Sequence, residues 1–247
     1  LLACFHLYRS HLAATSIKEI FVTRTTPNQF SPKDRERAVD LSRTALLSID
    51  MQNAEWSPQA VEMARQPDAP NAHHLEFMTR IEDVLLPAQA RLHTAARAAG
   101  MEIIFTTIEA LTQDGRDISL DHKVSNLFFP IGSWEAKVID AVGPEGDEIV
   151  IPKTSSGIFN YTNIDYVLHN LGIDYLIVYG VCTDQCVEGT VRDAADRGYF
   201  VTVVEDCCAT YLQADHEHSI NAMDGHFARA RSADEVISEI TRLSATE

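Results

Sequence analysis

The chain has 247 residues, enough for one α/β domain with a substantial core. Its formal net charge of -16 argues against a nucleic-acid partner, because neutralising phosphates needs a basic surface, and no apolar run reaches transmembrane length. Five cysteines, an odd number with no paired framework, point to a reducing compartment, the cytoplasm.

Residues 1–30 are basic on balance and rich in Ser and Thr, and residues 1–38 read as a poorly ordered extension of a single domain over 39–247. Thr44 to Ile49 is an apolar strand that ends at Asp50. Ala54 to Asn71, with prolines at 58, 67 and 70, reads as a long loop over the end of that strand. Leu75 to Ala99 has apolar residues at helical spacing and stops at Gly100, with Pro87 marking a kink or a seam. Glu102 to Thr107 is the second strand, and Thr112 to Pro130 is loop-like. Ser133 is placed to cap a short helix that runs to about Val142. Glu148 to Lys153 is the third strand, and a helix over Asn163–Leu171 ends at Gly172.

Tyr175 to Tyr179 is the most apolar strand, broken by Gly180. Val181 to Gln185 then forms a turn, with Cys186 at the mouth of a helix that reaches about Arg197. Phe200 to Glu205 is a strand closed by Asp206, Asp215 to Asp224 a helix, and Phe227 to Arg231 a weak last strand. Ser232 caps a final helix. This alternation predicts a three-layer α/β/α fold around a doubly wound, mostly parallel sheet of about six strands.

Three of the strands deliver a reactive side chain at the carboxyl end: Asp50, Lys153 and Cys186. In a parallel sheet those ends share one edge, where α/β folds place their sites. A cysteine at a helix N-terminus is favoured as a thiolate by the free N–H groups and the helix dipole. Taken singly, each residue also has a plain structural reading. Cys186 reads equally as a small buried hydrophobe, Asp50 as a cap or turn former, and Lys153 as a solvated surface lysine.

Together the motifs LLSIDMQN (46–53), PKTSSGIF (152–159), GVCTDQCVEGTVRDAADRGY (180–199) and VVEDCCAT (203–210) resemble the isochorismatase-like cysteine hydrolase family, over roughly residues 40–240. The resemblance implies a triad of Asp50, Lys153 and Cys186 and a cis peptide at Val181–Cys182. The backbone N–H groups of Cys182 and Cys186 are then the oxyanion donors. It also implies a homodimer or homotetramer acting on a small molecule. The metal-binding branch of the family carries an aspartate and two histidines near the second strand; Thr107 to Leu111 has no such set, so no metal and no cofactor are expected. His122 stands alone, and His216 and His218 read as a solvated helix start.

Because Cys186 is present, hydrolysis of an amide or ureide through a thioester is expected, with release of ammonia. A nicotinamidase or isochorismatase-type hydrolase is the alternative within the family, and a non-catalytic binding protein on the same fold is the alternative outside it. Gln52 and Glu109 are candidates for binding a carbonyl or urea N–H groups. Arg116 and Lys123 are candidates for a substrate carboxylate, and Phe159, Tyr161 and Trp56 for pocket walls.

Overall fold

The structure, a computed structural model, describes residues 37, 39–66 and 68–246. The reading of residues 1–38 therefore lies almost entirely outside the described residues. Six strands form one wholly parallel sheet: β1 Thr44–Ile49, β2 Glu102–Ile108, β3 Ile149–Lys153, β4 Tyr175–Val181, β5 Phe200–Ala209 and β6 Arg229–Arg231. Their order is β3-β2-β1-β4-β5-β6. The chain winds outward from β1 in one direction, then returns to β4 and winds outward in the other. The order reverses between β1 and β4, and the carboxyl end of that pair is the natural crevice of such a sheet. Both strands are buried along their whole length, as expected for central strands covered on both faces. Leu46, Leu47, Phe105, Ile177 and Val178 lie at the centre of the main core.

The helices are α1 Pro58–Ala64, α2 Leu75–Arg80, α3 Leu86–Ala98, α4 Leu120–Val124, α5 Ile164–Asn170, α6 Glu188–Asp196, α7 Gln213–Met223 and α8 Ala233–Ser244. α8 opens with a full capping box, Ser232 with Glu235. Its first N–H also donates to Asp206 Oδ1 at 2.7 Å.

Several local expectations are corrected. The segment after Asp50 is not all loop: Ser57 Oγ accepts from Ala60 N at 3.1 Å and starts α1, with Pro58 at a position that has no helical N–H to lose. The seam in the long helix is a π-turn over Ile81–Leu85, and Pro87 sits in the first turn of α3, where it is tolerated. The segment 112–130 contains α4, whose N-cap is Ser119. Ser133 Oγ does accept from Ala136 N, but no helix starts there: Val138 bridges to Gln52, and only a single 3-10 turn follows, at Asp140–Val142. β5 runs through Asp206 to Ala209, after a register shift against β4 between Val178 and Gly180. The carboxylate of Asp206 ends no strand; it caps a helix.

Candidate active site

Asp50, Lys153 and Cys186 converge at the carboxyl edge of the sheet, where β1 meets β4. Asp50 follows β1 with a left-handed backbone (φ 53°), uncommon for a residue with a side chain. Two bonds to the neighbouring strand hold it there: Asp50 N donates to Thr106 O at 3.1 Å, and Thr106 Oγ1 donates to Asp50 Oδ1 at 3.0 Å. The other carboxylate oxygen, Oδ2, is 2.8 Å from Lys153 Nζ. Lys153 ends β3, two strands away, and its long side chain spans the gap. Its ammonium donates to Ser155 O at 3.0 Å and to Cys186 Sγ at 3.4 Å. Lys153 is 0% exposed, Asp50 1% and Cys186 5%. A solvated surface lysine is thereby replaced by a buried cation with three partners.

Cys186 lies in a π-turn, Thr183–Val187, that joins β4 to α6. The turn is closed by bonds from Gln185 N and Val187 N to Cys182 O, at 3.1 and 3.2 Å. It is braced from outside by His216, whose Nδ1 lies 2.9 Å from Thr183 Oγ1. His216 is therefore not part of a solvated helix start: it is buried, and burial with the nearby Arg80 pushes its pKa down to about 4. The peptide Val181–Cys182 is cis.

The electrostatics reverse one expectation. Cys186 is not held as a thiolate. Burial, then the Asp50 carboxylate, push its pKa up to about 12, against the opposing pull of Lys153. Burial works against the Lys153 ammonium, but the charges of Asp50 and Cys186 outweigh it and raise its pKa above the ordinary lysine value. The resting site is therefore a carboxylate, an ammonium and a neutral thiol, with the thiol within hydrogen-bonding reach of Asp50. A proton moving from sulfur to Asp50 leaves the net charge of the buried site unchanged. The ammonium passes from serving the carboxylate to serving the thiolate, so the transfer does not bury an unpaired charge.

The other residues singled out from the sequence are placed apart from the triad or have their polar groups engaged. Gln52 is 0% exposed, and its amide is spent on the backbone: Nε2 donates to Ile108 O and Glu135 O, and Oε1 accepts from Ile108 N at 2.7 Å. It locks the segment after Asp50 onto β2. Glu109 Oε1 accepts from Gly132 N at 2.6 Å and holds a loop. Arg116 pairs with Asp114, and Lys123 donates to Arg116 O; both lie at the surface. Phe159 is core, 5.7 Å from the Tyr199 ring, and Tyr161 is exposed. Trp56 packs against two small apolar clusters beside the site.

One group was missed in the sequence. Glu55 lies in the turn after Asp50, where Gln52 N donates to Asp50 O at 2.8 Å and Glu55 N to Gln52 O at 3.0 Å. Burial, then the nearby Asp50, push its pKa up to about 7, with Lys153 opposing. Only its position five residues after Asp50 could have singled it out.

A parallel α/β sheet with a buried cysteine, carboxylate and lysine at its switch point defines a class of hydrolase. The model of the isochorismatase domain matches residues 44–235, and the chain belongs to that family of hydrolases. It is 27% identical over 207 residues to an N-carbamoylsarcosine amidase from an Arthrobacter species, across 82% of this chain and 73% of that one. Among solved structures it is similar to a cysteine hydrolase from Pseudomonas syringae pv. phaseolicola (TM-score 0.69, 24% identity, 84% of this chain and 96% of that one). It is also similar to an isochorismatase family protein from Desulfovibrio vulgaris (TM-score 0.63, 26% identity, 79% and 98%).

Proposed function

We propose that the chain is an amidohydrolase that cleaves a C–N bond of a small ureide or carboxamide and releases ammonia through a thioester on Cys186. The observation that carries this reading is the position of Lys153 Nζ, 2.8 Å from Asp50 Oδ2 and 3.4 Å from Cys186 Sγ. The likeness to an amidase supports the reaction class.

Asp50 takes the thiol proton, and Cys186 Sγ attacks the carbonyl carbon. The oxygen that becomes negative is held by backbone N–H groups of the turn, those of Cys182 and Cys186. The intermediate collapses with cleavage of the C–N bond, and Asp50 passes its proton to the leaving nitrogen, giving ammonia and a thioester. Asp50, a carboxylate again, takes a proton from water as the water attacks the thioester. The C–S bond then breaks, and the proton returns to the sulfur. An amide gives a carboxylic acid; a ureide gives a carbamic acid, which loses carbon dioxide. Lys153 stays protonated throughout and compensates whichever partner carries the negative charge.

The test is ammonia release from a panel of ureidoacrylate, biuret, triuret, N-carbamoyl amino acids, maleamate and nicotinamide, with the wild type and with Cys186→Ala. Turnover abolished by the substitution supports the reading. Turnover that survives it overturns the thioester.

A further inference from the structure

The proposed reaction is set on the turn Thr183–Val187, which must hold Cys186 Sγ towards the carbonyl carbon and the N–H groups of Cys182 and Cys186 towards its oxygen. The backbone bonds that shape this turn are local. Gln185 N and Val187 N donate to Cys182 O, and Thr190 Oγ1, one turn further along α6, donates to Cys186 O at 2.7 Å. Cys182, at the start, supplies no side-chain cap. Such bonds fix the shape of the turn; they do not hold it against a neighbouring element.

Thr183 makes that link. It is 0% exposed, follows Cys182 directly, and its Oγ1 lies 2.9 Å from His216 Nδ1 on α7. A β-branched side chain has few rotamers, so a partner that fixes its hydroxyl also restrains the backbone that carries it. His216 begins the buried face of α7, which continues through Ser219, Ile220 and Met223. An apolar side chain would serve packing there equally well. The imidazole adds a hydrogen bond to the nucleophile turn and a second polar edge. With Nδ1 turned to the buried Thr183, that second edge meets a surface cavity of about 320 Å³, which Arg80, Glu205 and Glu217 also line. Burial keeps the ring neutral at ordinary pH, so one nitrogen carries a proton and the other accepts. With the proton on Nε2, towards the carboxylates of the cavity, Nδ1 accepts from the Thr183 hydroxyl and orients it.

We propose that His216 is a positioning residue: through its hydrogen bond to Thr183 it holds the nucleophile turn in the geometry that the developing oxyanion requires. This deepens the amidohydrolase reading and rests on it for turnover. Preorganised donors act on the negative oxygen of the transition state far more than on the neutral carbonyl of a bound substrate. Loss of the bond therefore lowers kcat and leaves KM nearly unchanged. Removing one oxyanion donor outright costs about 10²–10³-fold, so a turn that keeps its donors but is held less firmly should lose about 10- to 100-fold.

The test compares three variants: His216→Leu fills the space without an acceptor, His216→Asn offers a side-chain oxygen where Nδ1 stood, and Thr183→Val keeps the shape of the threonine. On the substrate found with the ammonia panel, His216→Leu and Thr183→Val should each lower kcat about 10- to 100-fold with KM within a few-fold. His216→Leu/Thr183→Val should be no slower than the slower single variant, because both changes act through one bond. His216→Asn should recover part of the loss. A general weakening of the fold gives additive losses and no recovery by Asn; that result overturns the proposal, as does an unchanged kcat in His216→Leu.

A readout without turnover separates this role from the reading it rests on. The Cys186 thiol adds to an aldehyde: a C–S bond forms, the carbonyl double bond becomes single, and the sulfur proton passes to the oxygen. The thiohemiacetal places that oxygen where the oxyanion would sit. The probe is isotopically labelled acetaldehyde, followed by carbon NMR. The wild type should form the adduct, Cys186→Ala should not, and His216→Leu should bind the aldehyde about 10-fold or more weakly, with His216→Asn between it and the wild type. That outcome supports the role of His216 even if the panel shows no turnover, in which case the amidohydrolase reading alone falls. Equal adduct affinity in the wild type and His216→Leu overturns the positioning role.

Discussion

Gly180 lies against the backbone of Ile49 at a distance that only a glycine at position 180 allows. The two are register partners on β4 and β1. A Cβ built on Gly180 would overlap the carbonyl oxygen of Ile49 and lie 2.8 Å from its carbonyl carbon and nitrogen. The backbone of Gly180 also has φ +129°, a region closed to most L residues. This close approach sets the spacing between Asp50, one residue after Ile49, and the turn that carries Cys186.

Gly180→Ala should therefore destabilise the fold by about 3 kcal/mol or more, since overpacking against backbone and an unfavourable φ act together. Gly189 is the control. It lies in α6, and a Cβ there meets nothing within 4 Å. Gly189→Ala should stabilise by ~0.5–1 kcal/mol through helix propensity. Urea unfolding of the two variants measures both effects, and equal effects would rule out the contact as the cause.

Asp50→Asn separates the two roles of the carboxylate. Asp50 raises the pKa of Cys186 while Lys153 lowers it. Removing the negative charge should lower that pKa and speed alkylation by iodoacetamide at pH 8. Loss of the base should meanwhile cut turnover by about 10²–10⁴-fold. A variant that is slower in both would show that the carboxylate does not hold the thiol protonated.

Lys153→Met leaves Asp50 as a buried charge without its counter-ion, and should cost ~3–5 kcal/mol. Asp50→Asn/Lys153→Met removes both charges and should be more stable than Lys153→Met alone, yet inactive. Thermal unfolding of the set tests this; a double variant less stable than either single would mean that the pair contributes net stability.

Two buried histidines should make the protein acid-sensitive. Burial, then Arg97, push the pKa of His93 down to about 4, and its Nε2 lies 2.6 Å from Tyr179 OH. His216 is likewise pushed down to about 4. Between the unfolded value near 6.5 and the folded value, the unfolded chain binds more protons. The stability they contribute is complete above pH 6.5 and is lost as pH falls towards 4, on the order of 3 kcal/mol for the more deeply buried His93. His93→Gln cannot titrate in this range but can still bond Tyr179, so unfolding free energies measured from pH 7 to 4.5 should fall less steeply for it than for the wild type.

The sequence by itself determined the parallel sheet and the meeting of Asp50, Lys153 and Cys186 at one edge. Those features are written in local order: apolar runs, each closed by a reactive residue, alternate with amphipathic segments, and parallel strands must align their carboxyl ends. Tertiary structure alone decided the charge states and the partners. Helix-end position favoured a thiolate at Cys186, but burial beside Asp50 makes it a thiol, and burial is a property of the whole fold. Gln52 and Glu109 looked free because the backbone groups that bind them, at Ile108, Glu135 and Gly132, lie 23 to 83 residues away in the chain. Glu55 looks ordinary in the sequence because nothing local shows that burial and the charges of Asp50 and Lys153 act on it. His216 reads as a surface residue in the sequence because its partner, Thr183, is 33 residues away. Periodicity records which way a segment faces; it does not record what the segment faces, and that contact sets the charge and hydrogen bonding of each group in the site.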